Sequence, residues 1–329
     1  MKYRTLGRTG IRVSEVGFGG WAIGNYQWGK QKDKDSAGAL EKALSLGCNF
    51  FDTALAYGQG HSEMIIGKTL KKHKLLDDVI IATKAPPKNW LWSPPAGEPI
   101  KEAFPPEWIR ECCETSLKNM DRSYIDLLQL HTWSRSWDRE SAWYEALLDL
   151  KEEGKIRAFG ISVRGAQPDE ANAHIENGRV DTIQTVYNIL DQKPVAKLFP
   201  AAAKNKVGII AREPLAGGGL TGKFTKDTKF EKGDWRGESR GGRRRYALEK
   251  VIAQVDQVKQ IIGKGVKPYE AAIRFCLSDP AVSVVIAGIR NEKQATMNLR
   301  AGRATLPKDK VAKLKGLWKS GKIGGLTFP

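Results

Sequence analysis

Asn49-Phe50-Phe51-Asp52-Thr53-Ala54-Leu55-Ala56-Tyr57-Gly58 is the stretch on which the fold turns. It opens as a short apolar strand, sets an acid at the strand end and breaks into a loop at Gly58-Gln59-Gly60. Tyr57 follows the acid by five positions. Two later apolar runs end in a comparable way: Val79-Ile80-Ile81-Ala82-Thr83 leads into Lys84, and Ile125 to Leu130 leads into His131. A parallel barrel builds its chemistry at the C-terminal ends of its strands, so these polar groups predict one shared rim.

Working outward, the same alternation covers the chain. Apolar strand-like runs fall at 16–19, 49–53, 79–83, 125–130, 156–162, 182–187, 207–212 and 282–287. Amphipathic runs at 35–46, 62–71, 106–120, 141–152, 168–176, 193–204, 246–262, 268–277, 292–301 and 307–319 read as helices, with Ser62 as an N-cap. Strands alternating with helices imply a parallel sheet. Eight such units in about 300 residues fit a closed (β/α)8 TIM barrel, with a doubly wound open sheet as the rival. Lys2 to Leu6 and Arg12 to Val16 flank the turn Gly7-Arg8-Thr9-Gly10 and predict an N-terminal hairpin. The run 307–319 adds a C-terminal helix. No linker or composition break divides the chain, so 1–329 is expected to form a single domain.

Composition narrows the function classes. The chain has 329 residues, 41% of them hydrophobic, and a formal net charge of +17. No run approaches the roughly 18 apolar residues of a membrane span. The opening Met1-Lys2-Tyr3-Arg4-Thr5-Leu6-Gly7 lacks the apolar core of a secretory leader. Cys48, Cys112, Cys113 and Cys276 fit neither a disulfide framework nor a zinc site, and the histidines at 61, 73, 131 and 174 lack metal-ligand spacing. The expectation is a soluble cytoplasmic protein without metal or membrane partner. The basic residues are spread along the chain, which describes a solvated surface better than a nucleic-acid track. Only Arg243-Arg244-Arg245, with Arg236 and Arg240 close by, forms a cluster able to meet a phosphorylated ligand.

Three motif matches fail on context. Gly17-Phe18-Gly19-Gly20-Trp21-Ala22 fits a loose dinucleotide fingerprint, but loop residues follow where a helix is required. Gly217-Gly218-Gly219-Leu220-Thr221-Gly222-Lys223 is followed by Phe224, where a P-loop needs Ser or Thr. Its glycine-rich backbone can still cradle a phosphate. No G-x-S-x-G is present, so nothing supports a serine hydrolase.

The residues at the strand ends have a shared chemistry. Lys84 ends a buried strand and needs a partner; Asp52 on the adjacent strand, about 4.8 Å away, is the natural one. A Lys⁺ near Tyr57 is expected to lower its phenol pKa, and Asp52 to hold Lys84 in place. Such a Tyr donates a proton to a carbonyl oxygen while hydride reaches the carbon, or acts as base in reverse. His131 would orient the carbonyl or relay the proton. The hydride has to come from a cofactor.

Taken together, Leu6-Gly7-Arg8-Thr9-Gly10, Phe51-Asp52-Thr53-Ala54 with Tyr57-Gly58, Ser62-Glu63, Leu130-His131 and Gly288-Ile289-Arg290 make the chain resemble the aldo-keto reductase superfamily over nearly its whole length. The resemblance implies a barrel plugged by the hairpin and NAD(P)H lying across the rim without a Rossmann fold. It places the catalytic tetrad on Asp52, Tyr57, Lys84 and His131. Trp21 would lie beside the cofactor, and Ser162 and Gln184 would bind the nicotinamide carboxamide. Arg212, followed by Pro214 and Leu215, stands where an aromatic residue usually meets the nicotinamide, and Val163 stands where Asn is common. The loop holding Gly217, Gly219 and Lys223 matches the pyrophosphate-binding stretch. Gly288, Arg290, Gln294 and Asn298 match the adenosine end, with Met297 where an acid is often found. A bidentate contact from Arg290 to a 2′-phosphate would favour NADPH, with NADH as the other donor. The Arg236–Arg245 loop would close over the phosphates or stay solvated.

The substrate is expected to be a small carbonyl compound, aromatic or sugar-like, because Trp28, Trp90, Trp92 and Trp133 fall on predicted rim loops. The superfamily also includes cofactor-sensing barrels attached to membrane channels. A binding or regulatory subunit is therefore the alternative.

Overall fold

The computed structural model describes every residue except Tyr26, Ala96, Gly241, Gly242, Arg245, Tyr246 and 327–329, and gives only the backbone of Ser239, Arg240, Arg243 and Arg244. β1 (Tyr3–Thr5) and β2 (Arg12–Ser14) form the antiparallel hairpin. Eight further strands follow: β3 (Val16–Gly19), β4 (Phe50–Asp52), β5 (Ile80–Ala85), β6 (Ile125–Leu130), β7 (Ile156–Ser162), β8 (Thr182–Val186), β9 (Gly208–Arg212) and β12 (Val282–Gly288). They pair in parallel and close into a barrel in the order β12-β3-β4-β5-β6-β7-β8-β9, which excludes the open sheet. β10 (Ser239–Arg240) and β11 (Arg243–Arg244) make a small separate ladder.

Alternation along each strand sorts side chains between two cores. Phe50, Ala82, Leu127, Ala158, Ile210 and Val284 point into the barrel. The hairpin residues Leu6, Ile11 and Val13 pack into that inner cluster and plug one end. Each is at most 4% exposed, and burying an aliphatic side chain of this size stabilises by about 1.5–3 kcal/mol. Gly208 permits the insertion, since a Cβ there would lie 2.9 Å from Leu6 Cδ1. The alternate strand residues face the surrounding helices and form the larger outer core with Ile81, Leu128, Ile161 and Ile183.

The helices follow the expected apolar spacing. Pro106–Met120 buries Ile109, Cys112, Cys113, Ser116 and Met120 on one face, begins at a proline and ends at Asp121 in the left-handed region. Lys308–Lys319 lies beyond the last strand–helix unit as the additional C-terminal helix. Some boundaries differ. The run 168–176 forms a helix only at Asn172–Glu176, and 193–204 splits into a 3-10 turn and Leu198–Asn205. The expected cap Ser62 is buried inside helix His61–Lys72, where its hydroxyl donates to Gly20 O and accepts from Thr53. Among the described residues, no helix is long and apolar enough to cross a membrane.

Candidate active site

The strand ends deliver the constellation as the sequence predicts. Asp52 closes β4, Lys84 lies near the end of β5, and His131 follows β6. The loop bearing Tyr57 is tied down by backbone bonds from Thr53 N to Ala82 O and from Tyr57 N to Ala54 O. Lys84 is fully buried. Its Nζ donates to Asp52 Oδ1 at 2.7 Å, to Thr53 O at 2.6 Å and to Tyr57 Oη at 3.4 Å. Those partners use all three ammonium hydrogens. The His131 ring meets Tyr57 edge-on at 5.6 Å and Trp92 at 4.8 Å.

Burial governs the electrostatics. It raises the Asp52 pKa and lowers that of Lys84, while each opposite charge resists the other's shift. The 2.7 Å contact, with further bonds from Gln184 to Asp52 and from Lys84 to Thr53, favours the ionised pair against that burial. The Tyr57 phenol is pushed well above its ordinary 10.0, first by burial and then by the Asp52 charge; Arg212 opposes this and Glu213 adds to it. This corrects the expected lowering by Lys84. The ammonium is already matched by Asp52, and its 3.4 Å approach does not overcome burial. His131 is pushed well below 6.5 by burial, with Lys84 and Arg212 adding to the effect. The arrangement is therefore a protonated phenol beside a neutral imidazole.

Tyr57 and His131 open into a cavity of roughly 950 Å³. Trp21, Ser162, Gln184, Arg212, Pro214 and Leu215 line it, as do Lys223, Gly288, Arg290, Gln294 and Asn298. Trp28, Trp90 and Trp92 are also at its wall, and Thr132 Oγ1 holds the Trp92 carbonyl at 3.0 Å. A second groove of about 300 Å³ shares Arg290 and Gln294 and adds Lys30, Lys32 and Asp35. Arg290 is fixed there by Gln31 Oε1 at 3.0 Å and Lys30 O at 2.6 Å. Gln294 and Asn298 brace the same turn through Arg290 N and Gly288 O.

These residues fit an elongated anionic cofactor. Lys223, Arg236 and Arg290 supply positive charge along the cavity. Gly218 exposes bare backbone to it with φ 93°, and a Cβ there would come within 3.2 Å of Arg236 Nη1. A nicotinamide dinucleotide matches this set of cations and glycine backbone, with the polar side chains of Ser162 and Gln184 on the same wall.

Several assignments change. Trp133 is fully buried rather than on the substrate wall. Its ring packs against Trp137, Trp143 and His174, and its Nε1 donates to Asp138. Gly217 N is taken by Glu213 Oε2 at 2.9 Å, and its carbonyl accepts from Arg236 at 3.1 Å, so its amide is occupied within the loop. Gly219 is buried in the same turn. The role considered for the Arg236–Arg245 loop is described only at Arg236; Arg245 and the side chains of Arg240, Arg243 and Arg244 lie outside the described residues.

Sequence reasoning also missed wall residues. Trp235 stacks on Trp21 at 6.3 Å, beside Arg236, which the basic cluster had already singled out and which lies over Trp28 at 4.8 Å and Phe230 at 4.6 Å. The available signal was a lone Trp-Arg pair inside the Gly- and Arg-rich loop. Gln27, Arg164 and Gln167 also line the cavity.

Comparison with known proteins agrees with this geometry. The sequence model of the Aldo/keto reductase family matches residues 15–319. Aldo-keto reductase YhdN of Bacillus subtilis (strain 168) is 32% identical over 297 residues, covering 89% of this chain and 86% of that protein. A probable voltage-gated potassium channel subunit beta of Arabidopsis thaliana is 30% identical, covering 92% and 91%. The solved glycerol dehydrogenase AKR11B4 from Gluconobacter oxydans superposes with TM-score 0.77 at 26% identity, covering 97% of this chain and 95% of that one. The chain belongs to the aldo/keto reductase family of oxidoreductases.

Proposed function

We propose that this chain is a cytoplasmic NAD(P)H-dependent reductase of aldehydes or ketones, acting as one unit over its whole length, with Tyr57 as the general acid. The observation that carries the reading is the buried Asp52–Lys84–Tyr57 chain, which ends in a protonated phenol at the cavity wall. A nicotinamide cofactor held along the cavity would supply the hydride for the carbonyl carbon. Tyr57 gives its proton to the carbonyl oxygen, and Lys84 stabilises the phenolate left behind. Asp52 fixes Lys84. Neutral His131 orients the carbonyl without competing for the proton. In the reverse direction the phenolate takes the proton of an alcohol.

NADPH is the preferred donor in this reading. Arg290 lies beside Lys30 and Lys32 in the smaller groove, a basic setting suited to a 2′-phosphate. Trp28, Trp90 and Trp92 support an aromatic or sugar-like substrate, because Trp90 and Trp92 remain 50% and 40% exposed at the cavity.

Quenching of the ten Trp residues by NADPH and NADH, on the wild type and Arg290→Ala, tests the cofactor. NADPH binding that weakens in the variant is expected. A carbonyl screen with Tyr57→Phe follows, with a fall in kcat of about 10²–10⁴-fold. The channel-subunit relative favours a second reading, a cofactor-sensing barrel. Tight cofactor binding with no carbonyl turnover would favour it.

A further inference from the structure

Glu63 is a fully buried acid that the chemistry of Tyr57 does not use. It lies in the first turn of helix His61–Lys72. Its Oε1 accepts from Thr83 Oγ1 at 2.5 Å, and its Oε2 accepts from Asn119 Nδ2 at 2.8 Å. Burial raises its pKa, while those two bonds and the Lys84 charge oppose the rise. Thr83 immediately precedes Lys84 on β5, and strand alternation turns its hydroxyl out towards the helix and Lys84 into the barrel. Asn119 packs on Gly60, the residue before the helix: a Cβ there would lie 2.4 Å from Asn119 Nδ2.

The loop that carries Tyr57 therefore leaves and returns to the same two residues of β5. As it departs, Leu55 N donates to Lys84 O at 3.3 Å. Where it ends, Glu63 takes the Thr83 hydroxyl. Ser62 joins the two ends, accepting from Thr53 Oγ1 at 2.8 Å and donating from its N–H to Tyr57 O at 3.2 Å. The phenol held on this loop meets Lys84 Nζ at 3.4 Å, already beyond the usual N–H···O range of about 2.7–3.2 Å, so a small shift of either side breaks the contact.

We propose that Glu63 is a positioning residue for proton transfer: by clamping Thr83 it seats the Tyr57 loop on β5 and sets the separation of the Tyr57 hydroxyl from the Lys84 ammonium. The proposal rests on the reading of Tyr57 as general acid. When the proton leaves Tyr57 for the carbonyl oxygen, the negative charge left on the phenol oxygen is stabilised by Lys84 more strongly the closer the two lie. A loosened seat therefore costs transition-state stabilisation and spares the binding of substrate and cofactor.

Thr83→Val keeps the side-chain shape without the hydroxyl, and Thr83→Ser keeps the hydroxyl. Crystal structures of wild type and Thr83→Val read the Tyr57 Oη–Lys84 Nζ separation without any substrate. NADPH titration by tryptophan quenching counts competent sites, and benzaldehyde reduction gives kcat and KM. The separation is expected to lengthen in Thr83→Val, with kcat per competent site down about 10–10²-fold and with KM and NADPH affinity within about twofold of wild type. Thr83→Ser should restore the wild-type kcat. A bond that serves folding alone would lower the urea midpoint of Thr83→Val and leave kcat per competent site unchanged, which overturns the proposal. So does a loss carried by KM or NADPH affinity, or an unchanged separation. A wild-type crystal structure lacking the Glu63–Thr83 bond also overturns it and needs no variant to fold. Folded wild type that binds NADPH and reduces neither benzaldehyde nor any other carbonyl of the screen overturns the general-acid reading itself, and the proposal with it.

Discussion

Gln184 Nε2 donates to Asp52 Oδ2 at 2.7 Å, joining residues 132 positions apart across the barrel mouth. The other carboxylate oxygen takes Lys84, so both oxygens of a buried acid are satisfied. Gln184 thus holds the acid that holds the lysine, in addition to any contact with a carboxamide. Gln184→Leu should strand Oδ2 without its partner and cost about 1–3 kcal/mol of folding stability. Urea denaturation reads the loss directly. Unchanged stability would mean that this bond adds nothing.

Lys84 and Asp52 form a pair that is 0% and 2% exposed. Removing one partner leaves an uncompensated buried charge, so Lys84→Met should destabilise by about 3–5 kcal/mol. Lys84→Met combined with Asp52→Leu should recover much of that loss, because both charges are gone. A double-mutant cycle measures the coupling, and simple additivity of the two substitutions would refute it.

The barrel and the meeting of four polar residues at one rim were legible because both depend on residues at strand ends, where strand period and residue type coincide. Asp52, Tyr57, Lys84 and His131 lie near β4, β5 and β6, consecutive in the chain and adjacent in the barrel. The Gln184–Asp52 bond was not legible, because it crosses the mouth and sequence gives no register across a barrel. The Tyr57 shift was missed for a related reason: proximity to Lys84 is visible in sequence order, whereas desolvation depends on everything packed around the site. Trp235 escaped notice because long-loop conformation is set by contacts such as its amide bond to Gln27 O, not by periodicity.

The pH dependence follows from two shifts of opposite sign. Tyr57 has its pKa raised above 10.0, so its proton stays available throughout the neutral and mildly alkaline range. His131 has its pKa lowered below 6.5, so the imidazole stays neutral above that pH. Reduction of a carbonyl should therefore show a level kcat/KM between pH 6.5 and 10.0. A pH–rate profile checks this, and a break near pH 8 that is lost in Tyr57→Phe would contradict it.

The same shifts bear on stability. A raised folded-state pKa means that the Tyr57 contribution is intact below 10.0 and is lost as pH climbs through the folded value. A depressed one means that the His131 contribution is intact above 6.5 and is lost as pH falls through the folded value. Urea midpoints of wild type should thus fall on acidification below 6.5, and His131→Phe should flatten that fall. An identical acid slope in both proteins would assign the loss to other groups.

Trp92 and Trp133 were grouped by sequence and are separated by structure. Trp133 is 0% exposed among Trp137, Trp143 and His174, with its indole N–H on Asp138, whereas Trp92 is 40% exposed at the cavity beside His131. Trp133→Ala should open a cavity in the outer core and cost about 3–5 kcal/mol. Trp92→Ala should stay within about 0.5 kcal/mol in stability, as expected for an exposed site. It should instead raise KM for a flat or ring-shaped carbonyl, leaving cofactor affinity unchanged. Paired denaturation and kinetic measurements on the two variants separate these roles. A Trp92→Ala enzyme with unaltered KM for every aromatic and sugar-like carbonyl tried would remove the indole from substrate recognition, and the cavity's other exposed indole, Trp90, would then have to be tested alone.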